Sequence, residues 1–383
     1  MKEFGKHLRR YPIVFVFLAF LMGFAVLDEL WPKRESSELE NRPLAQRPPF
    51  SLKSVLTKST NDTWMAKYND YTKDQVAFRD GWINLKSVVE TALLKTENNG
   101  VWYGRDHYLF AKQLEIGGKF TMNAGALQKL AERHPGQVDV MIVPSASLVL
   151  ADKLPAHIPA ADEAACLDEL ARMLEGSANV YDMRGTLAAH KDEDLYYRTD
   201  HHWTFEGAYL AYQAYVTAKG MTPMDLSAAE IKTVEDFYGT NYSKARRPGT
   251  QPDTLRYLEL PNVLRVYKLQ RDGTMLEETG PLMDTAALAT RDKYKAFLRG
   301  NNGYSVLTGD GEGSILVVKD SYANSFLPFL TANYKTIGIV DFRDNANKLD
   351  AIMEEGGYDQ VLVLYSFSGF STDGSLASRI ATP

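Results

Sequence analysis

Chemistry in this 383-residue chain concentrates in one stretch, Thr199-Asp200-His201-His202-Trp203-Thr204. It places a carboxylate beside two of the chain's seven histidines. Asp200 and His202 stand two positions apart, a spacing at which an orienting acid and a general base can come from one turn. Such a pair needs a nucleophile from elsewhere. The candidate is Ser321, in Val317-Val318-Lys319-Asp320-Ser321-Tyr322. His202 would take the proton of Ser321, and Asp200 would hold the other imidazole nitrogen and set its tautomer. The chemistry would be acyl transfer or ester hydrolysis.

The run Ile315-Leu316-Val317-Val318 reads as a strand, and Ser321 would open the helix after it. Active residues of open parallel sheets sit at the carboxyl ends of strands. A helix N-terminus adds free amides and partial positive charge for an oxyanion. The expected donors are the backbone amides of Ser321 and Tyr322. Ser145, Ser325 and Ser366 are rival nucleophiles; Ser145 and Ser366 also follow strands, but neither has so clear a strand-to-helix setting. Two other readings compete for the motif. Asp200 could cap the helix that begins near Thr204, with His202 packed beside it. His201, His202 and a carboxylate could bind a metal, but adjacent histidines usually point apart and no third ligand is evident, so no metal is expected.

The elements that must position these residues alternate. Helices are expected at 119–133, 162–175, 204–218, from Tyr322, and at 345–355. Strands are expected at 138–145, 179–183, 314–318, 336–340 and 360–365. Continuous Val/Ile/Leu strands between helices predict an α/β fold with a mostly parallel sheet covered on both faces. The segment 101–110 reads as an aromatic hairpin around a glycine turn. Helical spacing of apolar residues runs from 61 to about 95. Residues 237–313 break the alternation and read as a β-rich insertion of antiparallel strands and loops. Residues 32–60, rich in Pro, Ser and charge, read as a linker.

Lys2, Lys6, Arg9 and Arg10 precede an uncharged apolar run from Tyr11 to Leu27. A basic flank before such a run keeps the N-terminus in the cytoplasm and sends the rest across. Residues 1–31 are therefore read as a cytoplasmic basic tip and an uncleaved signal anchor, with a cleaved signal peptide as the alternative. An extracytoplasmic location argues against ATP or NAD chemistry, and no cofactor is expected. The net charge of −6 gives no reason to expect a nucleic-acid partner. Cys166 is the single cysteine, so no intrachain disulfide can form; it is read as a buried small hydrophobe.

The motif at 199–204 resembles the one that names the DHHW protein family. That family is similar to the alginate O-acetylation proteins of the SGNH hydrolase-like superfamily. Further likenesses are Glu40-Asn41-Arg42, the segment from Asp74 to Arg79, Gly100 to Leu109, Phe237-Tyr238-Gly239-Thr240, Lys319-Asp320-Ser321-Tyr322 and Asp341-Phe342-Arg343. The resemblance implies a triad of Ser321, His202 and Asp200 on a three-layer α/β/α fold of rearranged segment order, spanning 61–383. It also implies work on a cell-surface or exported polysaccharide, as O-acetyltransferase or acetylesterase. A polytopic membrane O-acyltransferase would deliver the acetyl group. His201 stands where the alginate proteins carry Thr and is read as structural or substrate-lining. Tyr322 and Trp203 are grouped with it as substrate- or oxyanion-facing, and Arg343 as a substrate contact or surface ion pair. The alternative is a non-catalytic polysaccharide-binding or assembly scaffold of the same fold.

Overall fold

The computed structural model describes residues 11–50, 63–227, 229–270 and 274–383. The basic residues Lys2, Lys6, Arg9 and Arg10, and residues 51–60 of the expected linker, lie outside these. The chain divides into two compact units, Met1–Leu94 and Lys95–Pro383.

In the first unit, α1 (Pro12–Leu30) carries Pro at its start, where the missing N–H costs nothing. It is the one helix among the described residues long and apolar enough to cross a membrane, a test that a signal sequence also passes. Strands β1 (Ser36–Ser37) and β2 (Arg42–Pro43) pair antiparallel. The helical spacing expected across 61–95 resolves into α2 (Trp64–Gln75) and α3 (Arg79–Ala92). Phe78 interrupts it at φ 58°, in the left-handed region. An ion cluster brackets this break. Arg42 grips Asp74 with two hydrogen bonds of 2.8 and 2.6 Å, and the amide of Ala45 adds a third at 2.8 Å. Arg79 meets Glu40 at 2.8 Å. The Glu40–Arg42 and Asp74–Arg79 segments are thus two halves of one ion cluster. Hydrogen bonding to Arg42 lowers the Asp74 carboxyl to about 2.

In the second unit, a three-stranded sheet of β3 (Glu97–Asn98), β4 (Val101–Tyr103) and β5 (Leu109–Ala111) contains the expected aromatic hairpin. Helix α4 (Gly118–Arg133) leads to β6 (Val138–Val143), and α5 (Glu163–Leu174) to the edge strand β7 (Asn179–Val180). Helix α6 (Phe205–Ala218) follows. Strands β8 (Ile231–Phe237) and β9 (Asp253–Leu258) pair with each other, with α7 (Thr240–Ala245) between them. Then come β10 (Val263–Leu269), β11 (Met275–Pro281), β12 (Tyr304–Thr308) and β13 (Ser314–Lys319). Helix α8 (Ala323–Leu330), β14 (Thr336–Val340), α9 (Leu349–Gly356), β15 (Val361–Ser366) and α10 (Phe367–Thr372) complete the framework.

The main sheet has eight strands in the order β11-β10-β12-β14-β13-β15-β6-β7. From β14 to β7 the pairing is parallel; β12, β10 and β11 continue it antiparallel. Strands β10, β11 and β12 of the 263–308 segment therefore extend the principal sheet, whereas the β8–β9 pair stands apart. Alternation along the central strands separates two cores. Ile315, Val317, Leu362, Leu364 and Met141 join α6 and α8 on one face. Leu316, Val318, Val361, Val363 and Val140 join α4, α5 and α9 on the other. A strand buried on both faces has no solvent side, so these strands are apolar at most positions, with Asp139 and Lys319 as buried exceptions. Each apolar side chain contributes about 1.5–3 kcal/mol on burial. Cys166 is half-buried at the margin of the second core. The parallel strands end together at one edge, and β13 delivers its chain there into Asp320 and Ser321.

Candidate active site

Residues 196–204 form a tight loop. Tyr196 and Trp203 pair as an isolated antiparallel bridge, and the amide of Tyr197 donates to the His202 carbonyl at 3.2 Å. The loop is fastened from outside. Asp253, at the start of β9, accepts the amides of Arg198 and Thr199 at 2.8 Å each and the Thr199 hydroxyl at 2.5 Å. The Thr199 hydroxyl in turn accepts the Gly239 amide at 2.9 Å. The helix cap is Thr204, whose hydroxyl accepts the Gly207 amide at 3.2 Å. Asp200 therefore does not cap α6.

Asp200 turns to His202 instead. Its Oδ1 accepts the His202 amide at 3.0 Å and lies 2.5 Å from Nδ1. Its Oδ2 accepts the Thr240 amide at 2.7 Å. The other imidazole nitrogen, Nε2, lies 2.8 Å from Ser321 Oγ. An aspartate on Nδ1 keeps the proton there and leaves Nε2 as acceptor for the serine hydroxyl. Burial opposes ionisation of Asp200, but the neighbouring His201 and His202 and the hydrogen bonds it accepts outweigh that. Its carboxyl is held well below the usual range. Gly239 makes this fit possible: a Cβ there would lie 2.2 Å from Asp200 Cβ and 2.3 Å from Oδ2.

The serine turn has its own anchors. Asp320 accepts the Tyr322 amide at 2.9 Å and the Ser366 amide and hydroxyl at 3.0 and 2.6 Å. Burial raises its pKa, against those hydrogen bonds. Lys319 is also buried; its Nζ donates to Asn324 and Asn301 at 2.8 and 3.1 Å. Burial pushes its pKa down to about 8. The Tyr322 amide, expected as an oxyanion donor, is thus already given to Asp320. The amide of Ser321 has no acceptor among the described residues.

The rival serines are committed elsewhere. Ser145 donates to Glu163 at 2.6 Å, Ser366 to Asp320, and Ser325 lies 2.9 Å from Trp203 Nε1. Trp203, grouped by sequence with the substrate-facing residues, is fully buried. Its indole N–H is shared between Ser325 and the Tyr322 carbonyl at 2.9 Å each, so it clamps the start of α8 and cannot meet a substrate. The Tyr322 hydroxyl donates to the His201 carbonyl. Arg343 forks onto Asp341 at 2.8 and 2.5 Å.

His201 and His202 do not diverge as adjacent histidines usually do: their rings are 3.9 Å apart. The reason is that both serve one carboxylate, with His201 Nδ1 also 3.5 Å from Asp200 and 2.7 Å from the Thr240 hydroxyl. Burial and the neighbouring His202 lower the His201 pKa. The ligand atoms of Asp200, His201 and His202 lie within 4.8 Å of one another, close enough to hold a metal ion. An ion bound by His202 would have to break its contact with Ser321 or with Asp200. His201 keeps 39% of its side chain exposed. It lines a cavity of about 340 Å³ with Phe110, Ser145, Asn241, Lys244 and Tyr322.

Sequence reasoning missed Tyr294. Its ring lies on His202, centroids 3.8 Å apart and planes 12° from parallel. Its hydroxyl reaches the Ser321 carbonyl at 3.1 Å. Tyr294 sits in a 3₁₀ turn, Lys293–Ala296, between β11 and β12. No periodicity or spacing marks such a residue.

The sequence profile of the DHHW protein family matches residues 128–340, more than half of the chain. The chain belongs to the DHHW family. This DHHW protein matches no curated protein. Solved structures resemble it in fold. A DHHW family protein from Eubacterium siraeum aligns with TM-score 0.64 and 21% identity, over 75% of this chain and 98% of the other. PatB1 of Bacillus cereus, with a sulfonyl adduct, aligns with TM-score 0.60 and 18% identity, over 73% and 98%. The O-acetyltransferase domain of Pseudomonas putida AlgJ aligns at TM-score 0.45 and 16% identity, over 73% and 95%.

Proposed function

We propose that this DHHW protein is a serine-dependent O-acetyltransferase or acetylesterase acting on a cell-surface or exported polysaccharide. The observation that carries the reading is the relay from Ser321 Oγ through His202 to Asp200, with contacts of 2.8 and 2.5 Å. Ser321 Oγ attacks the acetyl carbonyl while His202 Nε2 takes its proton. The proton passes to the leaving group as the C–O bond breaks, and an acetyl-serine remains. A sugar hydroxyl or water then enters, gives its proton to His202, and attacks the acetyl carbon; the proton returns to Ser321. Asp200 stabilises the imidazolium formed in each half. The free amide of Ser321 and the start of α8 favour the oxyanion.

The 340 Å³ cavity beside His201 suits one sugar ring or a small acyl donor. Helix α1 serves as an uncleaved anchor that leaves the catalytic unit outside the cytoplasm, within reach of a polytopic acyl donor. Full-length protein with 4-nitrophenyl acetate tests the reading. Ser321→Ala and His202→Ala should each abolish acetyl release; release at the wild-type rate would overturn the assignment and leave a binding scaffold.

A further inference from the structure

A second opening lies at the carboxyl end of the same parallel strands. Its volume is about 630 Å³, and its walls include Tyr267, Asn301, Asn302, Tyr304, Asn345 and Asn347. Sheet register gives its place. Val318, Val340, Tyr304 and Tyr267 stand in one row across four neighbouring strands. Ser321 comes just after Val318 in the chain. With strands about 4.8 Å apart, Tyr304 and Tyr267 lie roughly 10 and 14 Å to the side of β13.

The walls have the chemistry that a sugar ring requires. Tyr267 and Tyr304 pair at 5.4 Å and 31°, and both are half-buried, so each keeps part of its surface exposed. A 2.6 Å hydrogen bond to the Tyr358 hydroxyl holds Tyr304 in place. The amides supply both polarities. Asn302 gives its NH₂ to the Leu298 and Gly300 carbonyls at 2.9 and 3.3 Å, leaving its oxygen without a partner among the described residues. Asn345 spends its oxygen on the Asn347 amide at 2.8 Å, leaving its NH₂. Asn301 spends its oxygen on Lys319 and Asn324 at 3.1 Å each, leaving its NH₂. A pyranose has an apolar C–H face and hydroxyls that both donate and accept, so an aromatic surface beside mixed amides matches it. Lys268, Asp344 and Glu355 also line the opening. Both signs are present, so nothing selects for an anion. Asn301 joins this wall to the serine turn through Lys319 and Asn324, which flank Ser321 in the chain.

From this we infer that the groove is a distal subsite for a neutral sugar unit of the acceptor glycan, a few units along the chain from the hydroxyl that meets Ser321. The inference rests on the polysaccharide reading above. The test uses full-length protein and β-1,4-linked oligomers of glucose, mannose and N-acetylglucosamine, from one to six units. Binding is measured calorimetrically on wild type, Ser321→Ala, Tyr267→Ala and Asn345→Ala. At least one hexamer should bind more than tenfold tighter than its dimer. Tyr267→Ala and Asn345→Ala should each weaken that hexamer at least fivefold and leave the dimer unchanged. Their release of acetyl from 4-nitrophenyl acetate should stay within twofold of wild type. Equal binding of the hexamer by both variants, or no binding by any oligomer, overturns the subsite. Ser321→Ala separates the two readings: if it keeps acetyl release, the acyl mechanism falls, while the groove variants still report on hexamer binding.

Discussion

Tyr294 lies flat on His202, 3.8 Å between ring centroids. One edge of the imidazole faces Ser321 and the other Asp200, and the tyrosine face stops the ring from turning between them. Burial pushes the Tyr294 hydroxyl far above its ordinary range, so it stays a hydrogen-bond donor. The ring, rather than the hydroxyl, should matter for orientation. Tyr294→Phe should keep activity within about threefold. Tyr294→Leu should lower kcat about tenfold with little change in KM, since a mispositioned base affects the chemical step. Equal loss in both variants, or a loss confined to KM, would refute the role.

Removing the acid should cost less than removing the nucleophile or base. Ser321→Ala and His202→Ala should lower kcat by roughly 10⁶-fold, and Asp200→Asn by only about 10⁴-fold through the wrong tautomer. Combining Ser321→Ala with His202→Ala should cost no more than the worse single change, because the residues act as one unit. Additive losses would mean that they act separately.

Gly239 has no room for a side chain against Asp200. Gly239→Ala should push the carboxylate from His202 and reduce kcat/KM at least about tenfold, with about 1–3 kcal/mol lost to overpacking. Unchanged kinetics would show that the loop relaxes freely.

Asp74 is held at about 2 by Arg42, below its ordinary value near 4. A carboxyl lowered in the folded state stabilises above its unfolded pKa, and that stabilisation is lost as pH falls through the folded value. The wild-type melting temperature should therefore drop between pH 4 and 2 more steeply than that of Asp74→Asn. At pH 7 the variant should melt lower than wild type. Parallel pH curves for the two proteins would exclude this contribution.

Much of the parallel core was legible in the sequence. The strands β6, β13, β14 and β15 are apolar on both faces, and that pattern has few other stable solutions. Boundaries were less legible. The helix expected from 345 begins at Leu349, because Asn345 instead bonds the Asn347 amide. The break at Phe78 was hidden because helical spacing continues on both sides of it, and the ion pairs that flank it come from Arg42 and Glu40 in a distant segment. Trp203 could not be told from a substrate-facing aromatic, since only packing reveals that its indole N–H is spent on Ser325 and Tyr322.

By itself, the sequence determined the identity of the groups that could react and the strand-to-helix setting that exposes Ser321. These follow from local causes: side-chain chemistry, apolar alternation and the direction of a parallel strand. Tertiary structure alone decided that His202 meets Ser321 across 118 intervening residues, that Tyr322's amide is given to Asp320, and that Tyr294 covers the imidazole. Those outcomes depend on how distant segments pack, and contacts between them leave no period or spacing in the chain.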